Sequence, residues 1–268
     1  MQREQRRRNH RENLTHDSVG ITVVIAARNE AANITACIES VRWAREIIVV
    51  EHGSTDATAR LAQAAGARVI DHEFETIGGQ RNAAIEVASE DWILVVDADE
   101  RGSRILELDV ARAIGSREFE AYRVPRRNFF LGREVKHGGW QSDKPVRLFR
   151  KSVRYNASRV HEHAEVSGKI GELSGQLTHE PYPTIDSYFE KLDRYSKWWA
   201  EDRYERGERV GAASVVVRPP LRFLTMYLVR GGILDGAAGA VLACMASTSV
   251  MAKYARLWAL GRRQRASD

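Results

Sequence analysis

Through its first hundred residues the chain alternates uncharged, β-rich runs with segments of helical spacing. Ile21–Ala26, Glu46–Glu51, Ala67–Ile70 and Ile93–Val96 read as strands. Between them, Ala31–Val41, Thr58–Ala65 and Gln80–Ala88 read as helices, with Ile34, Ile38 and Val41 in the first spaced for one face. Runs without polar alternation belong to strands covered on both sides. Strand and helix in alternation predict βαβ units, a parallel sheet and right-handed crossovers. After Gly115 the pattern changes. Phe119–Pro125, Arg133–His137, Val146–Phe149 and Val160–Val166 are short and broken by Gly, Pro or charge. They predict antiparallel or mixed strands that finish the sheet and wall a cleft. A long amphipathic helix is expected over Ile185–Arg206, with Tyr188, Leu192, Tyr195 and Trp199 on one face. Pro219-Pro220 predicts a break, and Leu221–Leu260 two helices divided at Gly231-Gly232. The organisation expected is a disordered basic arm (1–18), an α/β domain (19–183) and a C-terminal helical extension (184–268).

Charge changes this picture only at the ends. The formal net charge is +5. Its excess crowds at Arg3, Arg6, Arg7, Arg8 and Arg11 and again at Arg262, Arg263 and Arg265. Solvated tails and arms that touch anionic surfaces both fit. Cys37 and Cys244 make no disulfide framework, and each sits among small or apolar neighbours. Buried reduced thiols in a reducing compartment are expected. With no apolar leader behind the basic arm, the expected location is the cytoplasm, at the inner face of the plasma membrane. Gly236–Ala252 is uncharged but falls short of the ~20 strongly apolar residues of a span. Arg218, Arg222, Arg230, Lys253 and Arg256 interrupt apolar stretches, as in helices that lie in a membrane interface. A helical lid or a dimer surface remains open; the oligomeric state is not read.

The chemistry concentrates where strands stop. Ile93-Leu94-Val95-Val96 ends abruptly at Asp97-Ala98-Asp99-Glu100. In open α/β sheets ligands bind beyond the carboxyl ends of the strands. Asp97 and Asp99 are therefore expected on a turn at a cleft rim, where both carboxylates converge. Two hard oxygen ligands there suit Mg²⁺ or Mn²⁺ held together with substrate phosphates; a plain strand-ending turn is the alternative. Ala27-Arg28-Asn29-Glu30 and Glu51-His52-Gly53-Ser54-Thr55-Asp56 follow two other strands and share that edge. A nucleotide needs such a crevice: carboxylates for ribose or base, cations for the diphosphate. Neither a Gly-x-Gly-x-x-Gly dinucleotide fingerprint nor a Gly-x-x-x-x-Gly-Lys phosphate loop is present.

Taken with Gln80-Arg81-Asn82-Ala83-Ala84, these segments resemble the family 2 glycosyltransferases of the GT-A fold, in order and spacing. The second half is similar to bacterial lipopolysaccharide-core β-glucosyltransferases in Arg126–Gly132, Gly138-Gly139-Trp140, Arg147–Arg150, Val160-His161-Glu162 and Tyr227–Gly236. The resemblance implies a GT-A α/β fold, a mixed sheet flanked by helices, and inverting transfer of a hexose from a UDP-linked donor. It implies a saccharide or lipid-linked acceptor in envelope glycan synthesis and no nucleic-acid partner. Ala27, Arg28, Glu30, Glu51, Arg81 and Asp97 would bind the nucleotide, with Glu51 near uracil and Asp97 near the ribose. Asp99 would ligate the metal. Glu51 departs from the family's usual Asp.

A base must take the acceptor's proton. Glu162 is the first candidate and Asp143 the second. Trp140 could stack on a sugar, and His161 or His179 contact the acceptor or a phosphate. His161, His163 and His179 could converge, yet no ligand spacing completes a zinc pattern. The competing functions are a sugar nucleotidyltransferase and a non-catalytic nucleotide-binding protein on the same fold.

Overall fold

The computed structural model describes residues 18–73, 76–116, 118–156 and 162–265. Residues 1–17 of the arm expected over 1–18, and His161, lie outside them. The strands are β1 (Val19–Ala27), β2 (Ala44–Glu51), β3 (Arg68–Asp71), β4 (Trp92–Asp97), β5 (Glu100–Gly102), β6 (Ala121–Arg123), β7 (Arg126–Phe130), β8 (Arg133–Glu134), β9 (Val146–Arg150), β10 (Arg154–Tyr155), β11 (Ala164–Glu165), β12 (Ile170–Glu172) and β13 (Leu177–His179). The helices are α1 (Ile34–Ser40), α2 (Thr58–Ala64), α3 (Ile77–Val87), α4 (Arg104–Gly115), α5 (Ile185–Glu205), α6 (Ala212–Leu224) and α7 (Gly236–Arg265).

The main sheet runs β12-β6-β9-β4-β1-β2-β3. Its β4-β1-β2-β3 half is parallel, and β9 turns antiparallel against both β4 and β6. The apolar runs need no polar alternation because both faces are buried. Ile21, Val23 and Ile25 of β1 join one core with Leu94 and Val96 of β4, while Val24 joins the other with Ile93 and Val95. Each such side chain contributes about 1.5–3 kcal/mol of burial. The register sets Ala26 beside Asp97, Ala27 beside Glu51 and Glu51 beside Asp71. The carboxyl ends of β1, β2, β3 and β4 thus form one edge.

A second sheet, β5-β13-β7-β8, crosses that edge. In it His179 pairs with Glu100 on one side and Asn128 on the other. α5 begins on a capping box between Thr184 and Ser187 and runs back along the cleft. Tyr188 and Trp199 are buried on its inner face, but Tyr195 is exposed.

Three expectations need correction. Pro219-Pro220 lies inside α6 rather than breaking the chain. α6 packs along α7, and the Ser247 hydroxyl donates to the Pro219 carbonyl at 2.7 Å, so tertiary packing overrides the lost backbone donors. The interruption comes later, as a π-helical turn at Thr225–Val229, Gly231 at φ 72° and a 3₁₀ turn at Gly232–Asp235. Cys37 is buried, its thiol pKa pushed far up by desolvation, but Cys244 is exposed on α7. The strand expected over Arg133–His137 is only two residues long, because beyond Val135, whose N–H still donates to the Asn128 carbonyl, Lys136 to Gly138 turn away towards Asp235 and Arg230.

Candidate active site

The loops after β1 and β2 are stitched together by their own side chains. Asn29, at φ 56°, accepts the Thr55 N–H at 2.8 Å, and its own N–H donates to the Ser54 hydroxyl at 3.0 Å. The Glu30 N–H donates to Thr58 Oγ1 and the Ala31 N–H to Asp56. Much of the recognisable motif therefore builds the rim. Glu51 stands at the same edge, but the residue is only 8% exposed and its carboxylate accepts the Ser54 N–H at 2.6 Å. Arg28 lies against Gly53 of that loop.

Asp97 and Asp99 both line one cleft of about 360 Å³ with Ala27, Glu30, Arg81 and Arg126. They do not converge on one point. The turn after β4 sends successive carboxylates to different sets of cations. Asp97 meets Arg81 at 2.5 Å, Arg126 at 3.0 Å and Arg147. The fully buried Glu100 backs this cluster, accepting from Arg126 Nε at 2.6 Å and from the Asp97 N–H at 2.8 Å. Burial would raise the Asp97 pKa, but Arg147, Arg81 and Arg126 outweigh it and hold the carboxyl well below its usual range.

Asp99 turns the other way, to Lys191 of α5 at 3.0 Å and His179 Nε2 at 3.8 Å. Asn128 donates its amide N–H to the Trp140 carbonyl, which orients its oxygen towards His179 Nδ1 at 2.7 Å. Nδ1 thus carries the proton and Nε2 keeps its lone pair facing Asp99. Burial, helped by Arg126, lowers the His179 pKa, so the ring is neutral near pH 7. Burial raises the Glu30 carboxyl, and the charge of Asp99 adds to it.

Among the described residues no three His, Cys, Asp or Glu side chains form a cation cage. A divalent cation on a diphosphate needs only one or two protein donors, with phosphate and water completing its shell. A carboxylate beside a neutral imidazole fixed by a side-chain amide fits that need.

The two candidate bases face different spaces. Glu162 is paired with Arg81 at 3.1 Å and lines the cleft. Asp143 is paired with Arg126 at 3.3 Å, and its side chain is 35% exposed. It opens, with Trp140, into a second cavity of about 430 Å³. His179, Pro181 and Tyr182 line both spaces and form the wall between them. Of the three histidines that could converge, His161 lies outside the described residues, and the other two lie apart. His163 meets Asn156, away from the His179–Asn128 pair. Sequence reading passed over Arg126 and Arg147 as site groups, and Lys191 altogether. Arg147 carried a signal, a cation flanked by apolar residues inside a strand, and it is 3% exposed.

The family model described as Glycosyl transferase family 2 matches residues 22–103. The lipopolysaccharide core biosynthesis glycosyltransferase LpsC of Rhizobium meliloti is 31% identical over 251 residues, covering 88% of this chain and 93% of that protein. Among solved structures, S. aureus TarS aligns at 16% identity and TM-score 0.48, over 66% of this chain and 39% of that one. A Mycobacterium tuberculosis glucosyl-3-phosphoglycerate synthase, in complex with Mn²⁺, uridine diphosphate and phosphoglyceric acid, aligns at 26% identity and TM-score 0.33, over 41% of this chain and 43% of that one. The chain spans less than half of either structure. A parallel sheet with its acidic edge, a matching N-terminal profile and a relative alike over nearly its whole length agree: the chain belongs to the family 2 glycosyltransferases.

Proposed function

We propose that the chain transfers a hexose, with inversion, from a UDP-linked donor to a hydroxyl of a saccharide or glycolipid acceptor in cell-envelope glycan synthesis. The observation that carries this reading is the Asp99–His179 pair at the carboxyl edge of the parallel strands, with Lys191, Arg81 and Arg126 around one cleft. Asp99 and His179 would hold a divalent cation, and the imidazole donor favours Mn²⁺ over Mg²⁺. When bound, that cation supplies charge neutralisation at the diphosphate. Lys191 and the arginines add fixed positive charge where the leaving phosphate charge grows. Ala27, Arg28 and Glu30 border the nucleoside, and Glu51 shapes its rim through the Gly53-Ser54 loop. The acceptor hydroxyl, entering from the second cavity beside Trp140, attacks the anomeric carbon opposite the departing diphosphate. Its proton passes to Asp143, the candidate base that opens on that side.

Donor hydrolysis over a panel of nucleotide sugars tests the reading. UDP release from UDP-glucose with Mn²⁺ is expected, falling about 10²–10³-fold in Asp99→Ala. Normal turnover in that variant would refute it. Pyrophosphate release from UTP and a sugar phosphate would mark a nucleotidyltransferase.

The C-terminal extension supports a place on an anionic bilayer. Val216, Val229 and Leu234 are 71%, 80% and 71% exposed, with Leu221, Leu228 and Ile233 beside them in sequence also exposed. Residues 211–265 hold eight Lys or Arg and one acid, Asp235. Gly232–Arg262 is long and apolar enough to cross a membrane by length and composition. Leu242, Ala243, Met245 and Leu257 of that helix are packed inside the protein, however, which favours lying on the surface over spanning. Sedimentation with phosphatidylglycerol vesicles is expected, with little on phosphatidylcholine and loss in Val229→Glu/Leu234→Glu. Equal behaviour on both lipids would remove the charge argument.

A further inference from the structure

Across the His179–Tyr182 wall, the second cavity receives two guanidiniums, Arg222 and Arg230. Neither has a hydrogen bond or an ion-pair partner among the described residues. Their placement is built rather than incidental. Arg230 follows the π-helical turn, its N–H donating to the Thr225 carbonyl at 2.9 Å. Its carbonyl accepts the Gly138 N–H at 2.9 Å. Gly139 sits at φ 100°, and a Cβ there would stand 2.6 Å from Arg230 Nη1. The Gly138-Gly139 pair thus lets the guanidinium lie against the backbone. π-turns inside helical segments often mark functional positions. Arg222 comes from the last turn of α6, where burial and the nearness of Arg230 both work against its charge. Arg230 is exposed and Arg222 half-buried; with Asp143 on the same lining already paired to Arg126, the mutual repulsion of the two guanidiniums is relieved by a bound anion. Trp140 and Tyr182 give the same cavity flat apolar walls, and Asp143 stands on its lining.

We propose that this cavity is a subsite for an acceptor saccharide that carries a phosphate or carboxylate, the anionic group seated between Arg222 and Arg230. Planar guanidiniums suit such groups better than ammonium ions, because paired N–H donors match paired oxygens. The assignment to the acceptor rests on the transfer reading above; anion binding by the pair does not.

The test titrates the full chain with glucose 6-phosphate, inorganic phosphate and glucose at constant ionic strength, by calorimetry. Wild type is compared with Arg222→Gln/Arg230→Gln and Arg222→Lys/Arg230→Lys, and each protein is also titrated with UDP. Both phosphates are expected to bind wild type, and the Gln pair to weaken them about tenfold or more. The Lys pair should bind the phosphates with an affinity between those of wild type and the Gln pair, glucose should bind weakly throughout, and UDP should bind all three proteins alike. Phosphate affinity unchanged by the Gln pair overturns the proposal. An equal loss of phosphate and UDP binding also overturns it, since the probe would then be reporting the cleft. Arginine-dependent phosphate binding without any UDP binding supports the subsite while removing the donor reading. A further arm uses phosphatidylglycerol vesicles. If the arginines govern vesicle binding and leave glucose 6-phosphate untouched, the group is a lipid headgroup and the acceptor subsite is overturned.

Discussion

Charge is handled in opposite ways on the two sides of the wall formed by His179, Pro181 and Tyr182. At the end of β4, Arg81 and Arg126 in the cleft and Arg147 behind them are tied to Asp97, Glu100 or Glu162, and Lys191 is tied to Asp99, while Arg28 and Arg194 at the rim have no carboxylate partner among the described residues. In the second cavity, Arg222 and Arg230 have no carboxylate partner among the described residues, and the Asp143 carboxylate on the same lining is paired with Arg126 instead. A cluster that neutralises itself is preorganised: its dipoles and charges hold still whether or not substrate is present. A cluster left in electrostatic deficit is completed by what binds. The cleft is therefore the fixed part of this site, and the neighbouring cavity the part that a ligand finishes.

The sharpest way to break that contrast is to remove the carboxylate that faces the second cavity. Asp143→Asn should lower kcat about 10²–10⁴-fold while leaving donor affinity in place, since positioned bases contribute on that scale. Glu162→Gln should instead weaken donor binding through Arg81. Steady-state kinetics with separate donor titrations decide it, and the reverse pattern would move the base into the cleft.

A smaller effect is expected from loosening the self-neutralised cluster. Arg147→Met should destabilise the fold by about 3 kcal/mol, the low end for a broken buried pair, because Arg81 and Arg126 remain. Urea unfolding checks this. The pH dependence follows from the depressed Asp97 pKa. A carboxyl lowered in the folded state stabilises above its unfolded pKa of about 3.9, and that stability is lost as pH falls towards the folded value. Wild type should lose stability on acidification below about pH 4, and the Arg147 variant should lose less. Parallel curves would mean that Asp97 does not depend on Arg147.

The mildest change concerns the residue behind the imidazole that faces Asp99. Asn128→Ala frees the His179 tautomer and should weaken Mn²⁺ binding about 10–100-fold, with the fold intact. Mn²⁺ titration in the presence of UDP measures it, and unchanged affinity would take His179 out of the donor set.

How much of this was legible in the sequence follows the range of the interactions. The strands of the parallel half announce themselves because burial on both faces forbids polar residues, as in Ile93 to Val96. Asp97 and Asp99 were visible as an abrupt stop, and the shared sheet edge placed them near Glu30 and Glu51; Arg81 was indicated only by the family resemblance. What was hidden is which cation each carboxylate meets. Arg126, Arg147, His179 and Lys191 arrive from separate elements, and only strand pairing and the path of α5 decide their partners. Periodicity cannot report a hydrogen bond between residues 51 apart, such as His179 to Asn128. Pro219-Pro220 misled for a related reason: a local rule was overridden by helix packing that the local sequence does not contain.

The seat of β13 between β5 and β7 has a consequence for synthesis on the ribosome. A nascent chain that has emerged only as far as residue 150 already carries every segment of the parallel half, together with Asp97 and Asp99. It still lacks the strand that brings His179 beside Glu100 and the helix that delivers Lys191. Unfinished polypeptides would therefore present an acidic loop with no imidazole or ammonium opposite it until translation is well past its midpoint.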